Sequence, residues 1–216
     1  MEHNKTAEEL IRMKQHDLNV RQRLLDEGKL YDGYAPEMEQ VHLEHSRRLE
    51  QIIQETGYPT IAKVGKEASD AAWFLIQHSI SRPDFMKRML ALLKTLSPEE
   101  IASRNLLYLE DRIRMYEGKP QLCGTQFEWD DEGRLTPAPF DDLQKVNERR
   151  KKAGMPSLEE QTEQFRREQD FFPDPDFLKR HREKYRKWLI DTGWRKLESS
   201  AKPNGSGPEN PHETAL

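Results

Sequence analysis

The chain has 216 residues, of which 34% are apolar and 34% are charged, and its formal net charge is −4. Because acidic and basic residues nearly balance, composition gives no reason to expect nucleic acid as the general partner. The mean hydropathy of −1.00 predicts one modest core beneath a heavily charged surface.

Helix start and stop signals dominate the first half of the sequence. The strongest start is Ser97-Pro98 followed by two glutamates, which combines an N-cap residue, a proline at the first helical position and acids in the first turn. Such signals predict five helices: from Thr6 to Gly28, from Pro36 to residues 56–59, after Gly65, from residues 81–85, and from Ser97 to Gly118.

The segment at residues 121–140 departs from this helical pattern. Its alternating residues around Gly133 predict a short β-hairpin, and two or three helices follow with breaks at residues 154–156 and 171–177. We therefore expect a mainly α protein, with a single helical-bundle-like domain and one hairpin insertion. The predicted divisions are a helical domain over residues 5–170, a basic, aromatic helix over 171–198, and a disordered tail over 199–216.

The sequence shows no targeting or membrane signal. Residues 1–15 are charged throughout and lack the apolar segment of a signal peptide. No apolar stretch approaches the roughly 20 residues that a membrane-spanning helix needs. A single cysteine, Cys123, cannot form an internal disulfide, so we expect a cytoplasmic protein.

Three of the predicted helices carry polar side chains on faces that are otherwise apolar, when residues are placed at 100° per residue. Within each helix the two residues follow or interrupt an apolar stripe. They are Asp17 and Arg21 on the first helix, at ion-pair spacing, His42 and His45 on the second, and Gln77 and His78 on the third.

These polar faces predict a shared polar centre between the helices. Burying a polar group without a partner costs roughly 1–3 kcal/mol, so the side chains are expected to bond to one another or to a ligand. A purely structural network of hydrogen bonds is the alternative. The fifth helix leaves the question open, because Asp111 and Arg112 lie opposite its main stripe, on a face that is itself partly apolar.

Four blocks of sequence resemble the bacterial family called domain of unknown function 6624. They are "LYDGYAPEMEQVH" (residues 30–42), "VGKEASDAAWFLIQHS" (64–79), "YLEDRIRMYEGKPQLCGTQF" (108–127) and "VNERRKKAGMPSL" (146–158), with "GYP" at 57–59. The resemblance covers roughly residues 8–165. The family's name states that its function is unknown, so the resemblance implies no reaction.

The resemblance does imply a set of recurring polar positions. Two departures stand out, since Cys123 occupies a position where members usually have tyrosine, and Leu18 one where they have glutamine. The recurring positions correspond here to Asp17, Arg21, His42, Gln77, His78, Asp111, Arg112, Gln121, Thr125 and Gln126.

Motifs of known chemistry are scarce. The sequence has no glycine-rich phosphate loop and no GxSxG elbow. Gly124-Thr125-Gln126 offers a glycine that lets a ligand approach the backbone, followed by a hydroxyl and an amide. Histidines and Asp17 are possible metal ligands, but the ExxH signature of helical di-iron sites is missing, so no metal site is predicted and no cofactor is identified.

The predicted C-terminal helix has a different charge balance from the rest of the chain. Residues 176–196 contain eight basic and three acidic residues, with Tyr185, Trp188 and Trp194 among them. Such a helix could contact nucleic acid or an anionic membrane over residues 176–197. We favour the simpler interpretation, in which the aromatic face docks on the core and the basic face is solvated.

Two functions from different classes follow from these patterns. In the first, the protein is an enzyme acting on a small molecule, with His78 or His42 as the general acid–base and Asp17 or Asp111 orienting it. Arg21 or Arg112 would then hold an anionic group of the substrate, with Gln77, Gln121, Thr125 and Gln126 as further binding residues. In the second, the protein is a non-catalytic module that binds a ligand or partner, and its polar centre is structural.

Overall fold

The computed structural model describes residues 2–30 and 33–197 as a helical protein with one small hairpin, which confirms the predicted fold class. The predicted tail at 199–216 lies outside the described residues. The elements are α1 (Glu2–Asp26), α2 (Pro36–Thr56), α3 (Ile61–Val64), α4 (Lys66–His78), α5 (Pro83–Leu93), α6 (Ser103–Tyr116), β1 (Phe127–Trp129), β2 (Leu135–Pro137), α7 (Leu143–Lys152), α8 (Leu158–Glu168) and α9 (Pro175–Asp191).

Several helix ends follow directly from local sequence chemistry. Pro36 begins α2, and the helix ends at Gly57, whose positive φ of 74° turns the chain while its N–H donates to the carbonyl of Ile53. Ser157 and Glu160 form a capping box at the start of α8. The boundary of α8 is thus set by side chains, and the end of α2 by a backbone N–H, that satisfy the unpaired groups of a helix end.

The predicted start of a helix at Ser97 is wrong. Residues 97–101 form a separate turn, in which the Ser97 carbonyl accepts from the N–H groups of Glu100 and Ile101, and α6 begins only at Ser103. Ile101 is almost completely buried, so packing of this side chain redirects the backbone after one turn. The start signal is thus used for a turn rather than a helix.

Helix α4 lies at the centre of the core and packs most extensively against α1. Its alanines at 68, 71 and 72 are all but fully buried, and their small size lets neighbouring helices approach closely. Leu75 and Ile76 continue the same buried surface to the end of the helix. The residues that follow on α4 are therefore held in a tightly packed environment.

Helix α9 docks on this core through its aromatic side. Trp194, just beyond the helix, is buried, and its indole N–H donates to the carbonyl of Ile80 at 2.6 Å. Arg195 donates to the carbonyl of Tyr116 at 3.0 Å, while Arg180 and Lys187 are exposed. Within the described part of the chain, none of the helices is long and apolar enough to cross a membrane.

The hairpin is anchored to α7 and α8 by a buried arginine. Arg150 is fully buried, and its guanidinium donates to the carbonyls of Cys123 at 2.8 Å and Pro156 at 2.7 Å. The loop before β1 also packs against α8, because a Cβ added to Gly124 would lie 2.8 Å from a methyl of Leu158. The sequence suggested that Gly124 would let a ligand approach the backbone. In the structure, the group that approaches Gly124 is the side chain of Leu158.

We expect Gly124→Ala to destabilise the protein by about 2–4 kcal/mol in urea unfolding. The substitution combines a backbone penalty at a positive φ of 62° with the clash against Leu158. Gly154→Ala is the matched control, because Gly154 has a similar φ of 64° but no neighbouring atom within 4 Å of an added Cβ. Equal losses in the two variants would contradict the packing argument.

Candidate functional site

A fully buried carboxylate, that of Asp17, lies where α1 packs against α2 and α4. His78, at the C-terminal end of α4, points its Nδ1 at both oxygens of this carboxylate, at 3.0 and 3.1 Å. The ring of Phe74, one turn earlier, lies against the His78 ring with centroids 4.0 Å apart. The carboxylate and the phenyl ring together fix the orientation of the imidazole.

A second histidine contacts the same carboxylate from α2. His42 Nε2 lies 2.9 Å from Asp17 Oδ2, which is ion-pair distance, although the ring is not aligned for a straight hydrogen bond. Its Nδ1 is bonded to the hydroxyl of Tyr34. The centroids of the His42 and His78 rings are 4.9 Å apart, so the two imidazoles are neighbours that contact the same carboxylate oxygen, Oδ2 of Asp17.

His45, one turn after His42, faces a different partner. It is buried, and its Nε2 lies 3.1 Å from Nδ1 of the exposed His16 on α1. Burial, reinforced by the neighbouring His16, lowers the pKa of His45 to about 4. This histidine is therefore neutral near pH 7 and contributes to the packing of α2 on α1.

The charges in the centre follow from these contacts. Burial alone would raise the pKa of Asp17, but its contacts with His42 and His78 hold this pKa well below its usual range. Burial lowers the pKa of His78, with Asp17 opposing the shift. The resulting state near pH 7 is an ionised Asp17 beside a neutral His78 whose Nδ1–H donates to it, which leaves Nε2 as the nitrogen able to accept a proton.

The two imidazoles line an open cleft of about 310 Å³. Its apolar wall is formed by Leu30, Met38 and Ile80, and its polar wall includes Tyr34 and two arginines, Arg21 and Arg112. His78 is the more accessible of the histidines, with 23% of its side chain exposed against 8% for His42. The cleft therefore presents one accessible imidazole together with two positive charges.

The two arginines are held very differently. Arg112, on α6, donates from Nε to the side-chain oxygen of Gln126 at 2.8 Å and from Nη1 to the backbone carbonyl of Gln77 at 3.0 Å. Arg21 is exposed at the rim, and the predicted ion pair with Asp17 is not formed, since the histidines occupy that carboxylate. Arg21 is thus free to move onto a ligand, whereas Arg112 is preorganised.

Asp111 lies outside this centre and organises a loop. Its carboxylate accepts from the backbone N–H groups of Leu122 at 2.7 Å, Cys123 at 3.1 and 3.2 Å, and Thr125 at 3.1 Å. Burial raises the pKa of Asp111, and these three N–H groups oppose the shift. Its contacts are those of a structural group that holds the loop before β1.

The remaining predicted residues extend from this loop towards Arg112. Gln121 is fully buried and uses its whole amide, accepting from the Gln126 N–H and donating to the carbonyls of Gln126 and Ala138. Thr125 accepts from the side-chain amide of Gln126 at 2.9 Å. The amide oxygen of Gln77 is buried without a hydrogen-bond partner among the described residues, and only its backbone reaches Arg112.

Thus the structure brings Asp17, His42 and His78 together and places Arg21 and Arg112 beside them. Two important residues were missed by sequence reasoning. Tyr34 bonds to His42 and lines the cleft, and Arg150 fixes the loop. Both lie within the blocks of family resemblance, which was the available signal, since periodicity says nothing about a loop residue or about a basic residue in a charged run.

The same three residues have the donor atoms of a metal site. Asp17, His42 and His78 each offer one ligand atom, and these atoms lie within 4.8 Å of one another. One carboxylate with two imidazoles suits Zn²⁺ or Fe²⁺. However, the bond from His78 Nδ1 is aimed at the carboxylate itself, which is the arrangement of a histidine–aspartate hydrogen bond.

The chain belongs to the family of unknown function DUF6624, which matches residues 4–170. The family resemblance seen in the sequence is therefore confirmed, and the match runs from α1 through α8, ending before α9. No curated protein matches the chain. No solved structure matches it either.

We expect Asp111→Ala to destabilise the protein by about 3 kcal/mol or more in urea unfolding, because it leaves three buried N–H groups without an acceptor. Asp111→Asn keeps one acceptor oxygen and should cost less. The control is Glu163→Ala at an exposed position of α8, which should change stability by under about 0.5 kcal/mol. A loss for Asp111→Ala as small as that of the control would refute the structural role.

A second prediction concerns the pH dependence of stability. The unfolded chain protonates His45 near its usual pKa of 6.5, whereas the folded protein does so only near 4. The unfolded state therefore binds more protons in this window, and the contribution of His45, about 2–3 kcal/mol at most, is present above pH 6.5 and lost as the pH falls towards 4.

Urea unfolding between pH 4 and 7.5 measures the slope of the free energy of unfolding against pH. His45→Leu should flatten it, while His16→Gln, which leaves the burial of His45 unchanged, should keep most of it. An unchanged slope in His45→Leu would assign the acid sensitivity to other groups.

Proposed function

We propose that the protein is an enzyme acting on a small anionic molecule, with His78 as the general acid–base and Asp17 as the group that orients it. The observation that carries the proposal is the position of the histidine–aspartate pair, which opens onto a cleft that also contains Arg21 and Arg112. An accessible imidazole, a buried carboxylate behind it and cations in front of it are the components of acid–base catalysis on an anion.

The role proposed for each residue follows from its contacts. Asp17 accepts from His78 Nδ1, so the other ring nitrogen can take a proton from a substrate and return it. Arg112 keeps guanidinium donors free after its bonds to Gln126 and Gln77, and these can hold a carboxylate or phosphate. His42, bonded to Tyr34 and nearly buried, is placed to tune Asp17 and is the second candidate for proton transfer.

A purely structural role fits the loop that Asp111 holds, but it does not account for the centre at Asp17. Asp111 and Gln121 have their bonding capacity taken up within the protein. Asp17, in contrast, is bonded to side chains that titrate, and one of them is accessible from the cleft. A non-catalytic ligand-binding module remains the alternative that the experiment below separates from an enzyme.

The proposal also includes a small-molecule ligand and a cytoplasmic location. The ligand is a small molecule, because the cleft of about 310 Å³ is of the size that binds metabolites. We place the protein in the cytoplasm, since its one cysteine, Cys123, is buried and unpaired. Nucleic acid or an anionic membrane is not favoured, because the aromatic face of α9 is used within the protein.

The first experiment is a thermal-shift screen with a panel of small carboxylates and phosphate monoesters, followed by detection of turnover for each hit by mass spectrometry. His78→Gln should keep the fold and bind the hits within a few fold, but reduce turnover at least about 100-fold, because an amide cannot transfer a proton near neutral pH. Arg21→Gln should weaken binding about tenfold with little change in melting temperature, since this side chain is exposed.

His16→Gln, the same substitution at an exposed histidine outside the cleft, is the matched control and should retain full turnover. The assay is run on metal-free protein and again with added Zn²⁺ or Fe²⁺, so that a requirement for metal at Asp17, His42 and His78 is detected directly. Full turnover in a stably folded His78→Gln protein would remove His78 from the mechanism. Binding without turnover for every hit would support the non-catalytic module.

A further inference from the structure

The cleft at His78 adjoins a second cavity, and that cavity adjoins a third. The second cavity, here called the passage, has a volume of about 100 Å³, shares Tyr34 and Ile80 with the cleft, and is also lined by Trp188. It shares Tyr116 and Tyr185 with a third cavity of about 240 Å³, here called the slot. The three cavities therefore adjoin one another in sequence from the histidine–aspartate pair to the hairpin, and this row of cavities is here called the path.

Aromatic rings line this path at regular intervals. The His42 ring lies 5.7 Å from Tyr34, Tyr34 lies 5.9 Å from Trp188, and Trp188 is stacked on Tyr185 at 6.0 Å. Each step is within the range of ring–ring contact. The four rings thus pack on one another and form a continuous aromatic wall beside the three cavities.

The slot itself lies between the hairpin, the end of α6 and helix α9. Its walls are mainly apolar, and its exposed surface is formed by side chains that include Met115, Phe127, Trp129, Leu135 and Leu178. Near it are two polar groups that the protein leaves unused. The hydroxyl of Tyr185 and the indole N–H of Trp188 are buried and have no hydrogen-bond partner among the described residues.

Buried donors without acceptors are costly, and proteins rarely keep them without a use. Tyr185 lines both the passage and the slot, and Trp188 lines the passage, where a bound molecule would supply the missing acceptor. The ligand chemistry indicated is a flat apolar or aromatic group that carries a carbonyl, ether or hydroxyl oxygen.

We propose that the slot binds the apolar, acceptor-bearing end of the same acidic molecule whose charged end lies at Arg21 and Arg112. This inference rests on the proposed function for the position of the charged end, and it adds the substrate class: an elongated acid with an aromatic or apolar end. Because the family match ends at residue 170, the wall formed by α9 belongs to the part of the chain outside it. The slot is therefore where this protein's specificity is set.

The test uses ω-phenylalkanoates as probes, from phenylacetate to phenyldecanoate, with affinity measured by calorimetry. Affinity should rise by at least about tenfold at the chain length that lets the ring enter the slot, and then level off, because the ring is transferred from water to an apolar site. The corresponding phenylalkanols, which lack the charge, form the second series. A flat length dependence in both series would overturn the proposal.

Leu135→Trp fills the slot from the hairpin. This substitution should abolish the gain in affinity of the long probes and leave the affinity for phenylacetate unchanged, with folding checked by melting temperature.

Tyr185→Phe keeps the ring but removes the hydrogen-bond donor. It should therefore reduce, about two- to tenfold, the preference for a probe with a para-acetyl group over its para-ethyl counterpart. Tyr58→Phe removes a buried hydroxyl that lines none of these cavities and should change neither quantity.

The outcomes separate this inference from the proposed function. If the acids and the alcohols show the same length dependence and Arg21→Gln has no effect, the slot stands and the anion site fails. If short acids bind and are sensitive to Arg21→Gln while longer chains gain nothing, the anion site stands and the slot is refuted. His78→Gln should leave the length dependence intact, since it alters the chemistry and not the slot.

Discussion

The buried carboxylate of Asp17 is the constraint on which the rest of the site depends. A charge taken out of water costs several kcal/mol unless it is paired and hydrogen-bonded. Asp17 meets this demand with two imidazoles, from α2 and α4, rather than with an arginine. The position of α1 against both helices is thereby linked to the ionisation state of three side chains. A pair of this kind gives less stability than apolar residues of the same volume would, which is a reason to look for its use in function.

The two buried aspartates show how partners decide the role of one residue type. Asp111 accepts from three backbone N–H groups of one loop, and these groups neither titrate nor move independently of the loop. Asp17 accepts from His78 and contacts His42, and imidazole is the side chain that most often transfers protons in enzymes. Arg112 follows Asp111 on α6 and links the two regions, because Gln126 of the organised loop holds its guanidinium at the cleft. The loop thus contributes to the site by positioning, without reaching it.

Helical periodicity placed Asp17 and His42 on inward faces, and the fold buries both side chains, whereas His78 at the end of α4 stays partly exposed. It failed for Arg21, since Leu18 is 37% exposed and the true apolar face of α1 is narrower than the sequence suggested. Asp111 could not be settled by periodicity, because its face of α6 is covered by a loop that follows in the chain. Local start signals predicted most helix boundaries correctly. At Ser97, however, the burial of Ile101 outweighed the N-cap signal, and the chain forms a turn there instead of starting a helix. Such failures come from tertiary packing, which has no periodic signature.

The C-terminal helix α9 is linked both to the slot and to the chain segment that follows His78. Trp194 bonds to the carbonyl of Ile80, two residues after His78, so the docking of α9 fixes the chain at the point where α4 delivers its catalytic candidate. The same docking places Tyr185 and Trp188 along the path that leads away from the cleft. A change in α9 therefore acts on the wall of the slot and, through Ile80, on the wall of the cleft. This coupling gives a physical reason why a helix outside the family match can alter which molecule reaches His78 while the histidine–aspartate pair stays the same.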